Sequence, residues 1–104
     1  MARSPADIPD GVKADVALRC KGESMKPTLN DGDIVLVKQQ PDVLDGQIGV
    51  VLIENEATLK HVYHHKDGLL LTADNPSFAP LSVPCDENDD CLIQGLAIGY
   101  IRMF

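Results

Sequence analysis

Alternation of hydrophobic and polar positions, rather than helical spacing, dominates this chain. Short apolar runs are separated by turn dipeptides such as Asp31-Gly32 and Asp45-Gly46, which end one strand and begin the next. No window longer than one or two turns carries the 3.6-residue apolar repeat of an amphipathic helix. The extended runs cover residues 15–21, 33–38, 47–54, 57–63, 69–73 and 92–102. We therefore predict an all-β domain.

Proline and glycine mark the connections between these runs. Asn55-Glu56 separates two of the strands and predicts a two-stranded hairpin. Three prolines exclude a helix from residues 74–84 and limit that stretch to an extended connector or an edge strand. Residues 1–14 contain two prolines and a glycine without an apolar period, which predicts a flexible N-terminal tail or linker remnant. Residues 15–104 are then a single folded domain.

The charge balance restricts the partners that we expect. Nine Lys and Arg residues stand against 16 Asp and Glu residues, a formal net charge of −7. An acidic chain without a basic cluster is poorly suited to grip phosphates, so we expect no direct contact with nucleic acid. No apolar stretch approaches the length of a membrane span, and the start of the chain lacks a secretory signal. We expect a cytoplasmic protein that does not bind membranes.

The three cysteines favour reduced thiols over a disulfide framework. Cys20, Cys85 and Cys91 are an odd number in a chain without an export signal. We expect Cys20 to be a small buried apolar residue. Cys85 and Cys91 flank the acidic run 86–90, which has neither the CxxC pair typical of zinc sites nor the glycine and distal Glu of an EF-hand loop. We interpret the run as a solvated loop and expect no metal or cofactor.

Two residues are candidates for the catalysis of a hydrolytic reaction. Ser24 follows a predicted strand and precedes a turn with a proline, so its hydroxyl could lie beside backbone N–H groups that form an oxyanion hole. Serine is equally an ordinary turn residue. Lys60 lies in the middle of a strand and shares a face with Thr58 and Val62. Such a lysine either points to solvent or is desolvated, and desolvation disfavours its charged form.

The histidines are the alternative source of a base. His61, His64 and His65 lie at the end of a predicted hairpin strand and in its turn. A Ser-His-Asp arrangement requires a buried carboxylate directed at the imidazole, which the sequence does not reveal. Two adjacent histidines before Lys66-Asp67-Gly68 are more simply a solvated turn.

An ordered series of motifs resembles a known family. The motifs are Leu18–Met25, Asp31–Asp33, Asp45–Gln47, Thr58–Lys60, Asp74–Leu81 and Gly95–Arg102. Together they resemble the C-terminal peptidase domain of LexA-type repressors and of the UmuD family, from about residue 15 to residue 102. The resemblance implies a LexA/signal-peptidase-like fold of several short, strongly twisted antiparallel sheets.

The resemblance also implies an autoproteolytic Ser-Lys dyad. Ser24 would attack a peptide carbonyl, neutral Lys60 would accept its proton, and the backbone N–H groups of Glu23 and Ser24 would hold the oxyanion. In this family the substrate is the protein's own chain upstream of the serine, and a RecA filament promotes the cleavage. A homodimer forms through the C-terminal strand region, here residues 92–104.

Some features depart from that pattern. Residues 1–23 contain no Ala-Gly or Cys-Gly pair, so we expect that this chain lacks the scissile segment and the DNA-binding domain. A signal-peptidase-like protease is an alternative, because residues 24–37 also match the start of its motifs, although residues 73–78 differ from its later segment. A second alternative is a catalytically inactive dimerisation module of the same fold.

Overall fold

The computed structural model describes residues 2–5, 8, 10–84 and 92–103. Eight strands form: β1 (Ala2–Pro5), β2 (Val16–Cys20), β3 (Ile34–Gln39), β4 (Ile48–Ile53), β5 (Glu56–His65), β6 (Gly68–Thr72), β7 (Leu81–Pro84) and β8 (Ile93–Ile101). The all-β prediction is confirmed. Among the described residues, none forms a helix with the length and hydrophobicity needed to cross a membrane.

All strand pairs are antiparallel, and the order is β1-β2-β3-β8-β4-β5-β6-β7. We expected several short sheets, whereas the ladders are continuous and form one curled sheet. The reason is the position of β8, which pairs with β3 along one edge and with β4 along the other. β8 thereby joins two halves of the sheet that would otherwise be separate.

Close packing around β8 depends on Gly95. A Cβ atom at this position would lie 2.6 Å from Cγ1 of Val37 and 2.8 Å from the carbonyl oxygen of Lys38. The register of β8 shifts near this site against both neighbours, between Leu36 and Val37 on β3 and between residues 50 and 51 on β4. Only glycine permits this approach of β8 to β3.

The curled sheet buries side chains on both of its faces. Val50 and Leu59 belong to one apolar cluster, whereas Val51 and Val62 belong to another, because adjacent strand residues point to opposite faces. The buried residues of the first cluster are Cys20, Met25, Leu29, Val35, Val37, Val50 and Leu59. Those of the second are Val43, Val51, Val62, Leu69, Leu71 and Ile93. The first cluster lies beneath the loop that carries Ser24.

The β4–β5 hairpin turns one residue earlier than we predicted. Glu54 and Asn55 occupy the turn with φ angles of 50° and 67°, whereas we expected Asn55-Glu56. Two successive positive φ angles are the requirement of a type I′ turn, whose twist matches that of the flanking strands. Glu56 is therefore free to begin β5.

Both ends of the sheet lie in segments without a clear strand pattern. β7, from the proline-containing segment 74–84, is an edge strand, one of the two outcomes that we predicted for it. We expected residues 1–14 to be a tail, but β1 lies within them and pairs with β2. This pairing covers backbone groups of β2 that would otherwise form an open edge. The division of the chain at residue 14 stays a prediction.

Candidate active site

The loop after β2 holds Ser24 close to the apolar core. Ser24 is 9% exposed, and the next residue, Met25, is fully buried in the first cluster. The backbone N–H of Leu29 donates to the Met25 carbonyl at 2.8 Å, and Asp31 accepts from the backbone N–H of Gly22 at 2.8 Å. These bonds and the anchoring of Met25 fix the loop. The hydroxyl of Ser24 is therefore carried by an ordered segment.

Lys60 lies in the middle of β5 and is half-buried. Burial lowers the pKa of its amine below the ordinary value, because desolvation penalises the charged form. Within the described ranges, no carboxylate lies within ion-pair distance of its Nζ atom. An acidic neighbour would have opposed this shift, so the surroundings move the amine toward its neutral form.

A single short loop contacts the surroundings of both residues. The backbone N–H of Asn75 donates to the Ser24 carbonyl at 2.9 Å, and its side-chain amide donates to the Glu23 carbonyl at 3.0 Å. Three residues further on, the ring of Phe78 lies with its centroid 5.5 Å from Nζ of Lys60. The described hydrogen bonds do not include one between Ser24 and Lys60. The loop thus brings the two predicted residues into one region without a direct bond between them.

His61 forms a pair that the sequence did not reveal. Its Nε2 atom lies 2.8 Å from Oδ1 of Asp74, and its Nδ1 atom lies 2.7 Å from the carbonyl oxygen of Gly46. Both ring nitrogens are therefore occupied, and neither is left for Ser24. A carboxylate does accompany a histidine, as a Ser-His-Asp arrangement would need, but this geometry does not match that arrangement.

His64 and His65 differ in their surroundings. His64 contacts Asp45 through Nδ1 at 2.5 Å and Asp42 through Nε2 at 2.7 Å. These two carboxylates raise the pKa of His64. His65 is exposed, as we expected, but it is the last residue of β5 and not part of the turn that follows. His64 is instead an attachment point between β5 and the connection from β3 to β4.

Comparison with known proteins identifies the family. The family described as peptidase S24-like matches residues 3–98. The chain belongs to this family. It is 38% identical over 109 residues to the LexA repressor of Deinococcus radiodurans, which covers 95% of this chain and 50% of that protein. It is also 40% identical over 91 residues to the LexA repressors of Vibrio campbellii and Actinobacillus succinogenes, which covers 86% of this chain and 44% and 43% of those proteins.

The chain therefore spans about half the length of the LexA repressors that it matches. The match of the S24-like peptidase family confirms the predicted resemblance, and it extends across both the Ser24 loop and the strand that carries Lys60. A serine peptidase type of fold follows from this membership.

A hydrogen-bonded ion pair between Asp33 and Arg102 was not predicted from the sequence. Asp33, which closes the turn after the Ser24 loop, accepts hydrogen bonds from Nε and Nη2 of Arg102 at 2.9 and 2.6 Å and from the backbone N–H of Asn30 at 2.8 Å. Asp33 is 3% exposed, and the bonds from Arg102 hold the pKa of its carboxyl below the usual value. Apolar periodicity carries no signal for such a pairing between distant residues.

Of the three cysteines, the structure describes Cys20. Cys20 is buried in the first cluster with a free thiol, as we predicted, and burial raises the pKa of that thiol. Cys85, Cys91 and the acidic run 86–90 lie outside the described residues. In the part of the chain that the structure does describe, no group of three or more His, Cys, Asp or Glu side chains is placed to hold a metal ion.

Proposed function

We propose that this chain is the C-terminal regulatory domain of a LexA-type repressor, with Ser24 as nucleophile and Lys60 as general base of a peptide-bond cleavage. The observation that carries the proposal is the loop of residues 74–78, which bonds to the Ser24 loop through Asn75 and lies over Lys60 through Phe78. The domain type and the LexA relatives support the same role.

The protonation state of Lys60 decides whether the dyad can act. At pH 7 a lysine with an ordinary pKa is only about 0.04% neutral, so a useful base needs desolvation. The Phe78 ring attracts an ammonium ion at this distance, which opposes proton loss, but it also excludes water. Desolvation is the effect that lowers the Lys60 pKa, since no described carboxylate counteracts it. This environment supports Lys60 as the base.

The cleavage can then be written with Ser24, Lys60, the substrate peptide and one water molecule. Neutral Lys60 takes the proton of the Ser24 hydroxyl as its oxygen bonds to the carbonyl carbon, and the carbonyl electron pair moves onto oxygen. The C–N bond breaks as the Lys60 ammonium returns the proton to the leaving amine. Water, deprotonated by Lys60, then hydrolyses the ester and restores Ser24.

The oxyanion needs donors on the Ser24 loop. In the described hydrogen-bond network, the backbone N–H groups of Glu23 and Ser24 donate to no other group, so they are available to the developing negative charge. We assign the oxyanion hole to these two groups.

The family supports a regulatory setting for this chemistry. We propose that a longer repressor containing this domain cleaves itself upstream of Ser24, that a RecA filament stimulates the cleavage during an SOS response, and that the domain forms a homodimer through β8. The exposed side chains of Ile98 and Tyr100 on that strand support a dimer surface.

The departure of residues 73–78 from signal-peptidase motifs disfavours the alternative protease. An inactive dimerisation module of the same fold remains the competing interpretation, and the next experiment tests it.

A trans-cleavage assay tests the dyad. The substrate is a full-length LexA-type repressor whose own nucleophilic serine is replaced by alanine, and mass spectrometry follows the cut. We expect a rate that rises with pH as Lys60 loses its proton, and no cleavage by Ser24→Ala or Lys60→Ala. Lys60→Arg is the matched control, because it keeps a long cationic side chain that does not deprotonate. It should be inactive at every pH.

Two results would contradict the proposal. Cleavage by Lys60→Ala at the unmodified rate would remove Lys60 from the mechanism. Absence of cleavage by the unmodified chain across the alkaline range would instead support the inactive dimerisation module.

A further inference from the structure

The contact between His61 and Asp74 links the strand of the proposed base to the loop that contacts the proposed nucleophile. His61 directly follows Lys60 on β5, and Asp74 directly precedes Asn75, whose backbone and side chain bond to the Ser24 loop. The Nε2–Oδ1 distance is 2.8 Å, and both side chains are mostly shielded from solvent. His61 and Asp74 therefore connect the strand that carries Lys60 to the loop that bonds to the Ser24 loop, without being either of the two proposed catalytic residues.

We propose that His61 and Asp74 are positioning residues of the Ser24–Lys60 dyad, which hold the loop 74–78 so that it bridges both catalytic groups. The inference rests on the proposed function and assigns two residues that act through the loop rather than on substrate.

Two anchors hold this loop, one at each side of the site. Asn75 attaches it to the Ser24 loop with two hydrogen bonds, and Asp74 attaches it to β5 through His61. Within the loop, the backbone N–H of Phe78 donates to the Asn75 carbonyl at 3.0 Å, so Phe78 follows the position of Asn75. With both anchors in place, the loop sets where Phe78 lies relative to Lys60.

The second anchor depends on His61 in particular. The Oδ2 atom of Asp74 is buried and has no hydrogen-bond partner among the described residues. The described bond to the other oxygen, Oδ1, comes from His61 Nε2. A buried carboxylate that loses its donor bears the full cost of desolvation. Without that bond, Asp74 would move toward water and carry the start of the loop away from β5.

The effect on Lys60 follows from this movement. Asn75 would still hold the loop to the Ser24 loop, but without the anchor on β5 the segment would turn about Asn75 and carry Phe78 away from Nζ of Lys60. Water would reach the amine and stabilise its charged form. The fraction of neutral Lys60 would fall, and Ser24 would lose its base.

The two ring nitrogens of His61 allow a matched pair of variants. The side-chain amide of glutamine reaches the position of Nε2, so His61→Gln keeps a donor for Asp74 and loses the contact with Gly46. Asparagine reaches only the position of Nδ1, so His61→Asn keeps a donor for the Gly46 carbonyl and loses the contact with Asp74. Both variants are neutral amides and remove the imidazole equally.

Two measurements on the unmodified chain and both variants test the inference. A fluorophosphonate probe reports the reactivity of Ser24, with the modified residue located by mass spectrometry. NMR titration of the Lys60 side chain reports its pKa directly. We expect His61→Asn to label at least about tenfold more slowly, with a higher Lys60 pKa, because a small displacement of the site has a large effect on rate. His61→Gln should stay within about twofold of the unmodified chain.

A merely structural role of His61 would have a different signature. It would lower the thermal stability of both variants and leave the labelling rate and the Lys60 titration of the folded protein unchanged. That result would overturn the inference. If His61→Asn fails to fold, Asp74→Ala with Asp74→Asn as its control repeats the comparison from the loop side, since asparagine keeps an oxygen for His61.

The outcomes also separate this inference from the proposed function. Labelling that requires Ser24 and Lys60 but is equal in His61→Asn and His61→Gln leaves the dyad in place and rejects the positioning role. No labelling of the unmodified chain, with an ordinary Lys60 titration, rejects the dyad and the positioning role together.

Discussion

At the scale of single residues, the buried carboxylate of Asp33 shows how one ion pair ties the end of β8 to the Ser24 loop. Three donors from Arg102 and Asn30 satisfy its oxygens, and the hydrogen bonds from Arg102 hold its pKa below the usual value. A carboxyl whose pKa is lowered on folding stabilises the fold above its unfolded pKa of about 3.9. That contribution is lost as the pH falls through the folded pKa.

Removing the arginine should therefore destabilise the protein in a pH-dependent way. Arg102→Gln leaves the buried Asp33 carboxylate with one described donor, so we expect the free energy of unfolding to fall clearly at pH 7. The difference from the unmodified chain should shrink below about pH 4. Urea unfolding at several pH values measures both effects.

Arg19→Gln is the matched control for this prediction. Arg19 is an exposed arginine whose Nη1 lies 3.5 Å from the Gly32 carbonyl, beside the same loop. Its replacement should change the stability little at any pH. An equally large loss at pH 7 and pH 3 for Arg102→Gln would show that the carboxylate pairing is not the cause.

At the scale of elements, β5 is attached to the connection between β3 and β4 by its histidines. His61 contacts Gly46, and His64 contacts Asp42 and Asp45. The two carboxylates raise the pKa of His64 above its unfolded value of about 6.5. The resulting stabilisation is complete below the unfolded pKa and is lost as the pH rises through the folded pKa.

The attachment of this connection should therefore weaken at alkaline pH. We expect His64→Gln to lower the melting temperature clearly at pH 6 and very little at pH 9. The pairs are largely exposed to solvent, so the effect should also decrease with added salt. His65→Gln, at the exposed neighbour, should lower the melting temperature by the same small amount at both pH values. A larger loss for His64→Gln at pH 9 than at pH 6 would contradict this account.

Sequence patterns predict the positions of the strands better than they predict the contacts between strands. Alternation is local, so the runs that became β2 to β6 and β8 were visible without the structure. The pairing of β8 with both β3 and β4 depends on a bulge and on the bare backbone at Gly95, which apolar periodicity does not encode. Ser24 and Lys60 were candidates from their positions in the sequence, and the family resemblance assigned them to a dyad. The His61–Asp74 pair was not predicted, because it depends on the register of β5 with β6 and on the path of the following loop.

At the scale of the whole molecule, β8 leaves apolar side chains uncovered on one face. Ile98 is 45% exposed and Tyr100 is 47% exposed, and they alternate along the strand with better buried positions. Neighbouring exposed apolar side chains are typical of interaction surfaces. We expect a second copy of the chain to cover this face.

A charge on this face should dissociate that dimer. We expect Ile98→Glu to be monomeric in sedimentation velocity at concentrations where the unmodified chain is dimeric, because the interface would bury an unpaired carboxylate. Leu44→Glu is the control, since Leu44 is 73% exposed and belongs to the β3–β4 connection rather than to β8. Its variant should remain dimeric. A dimer that persists in Ile98→Glu would place the interface elsewhere.

The central place of β8 also determines when the domain can form during synthesis. The ribosome produces β8 after every other strand that the structure describes, yet the hydrogen bonds of the described sheet connect β3 to β4 only through β8. Until residues near 101 have emerged from the exit tunnel, the nascent chain can hold only two partial sheets with open edges. Such edges pair readily with other chains. Messages truncated before β8 should consequently yield products that aggregate or are degraded rather than a smaller stable fold.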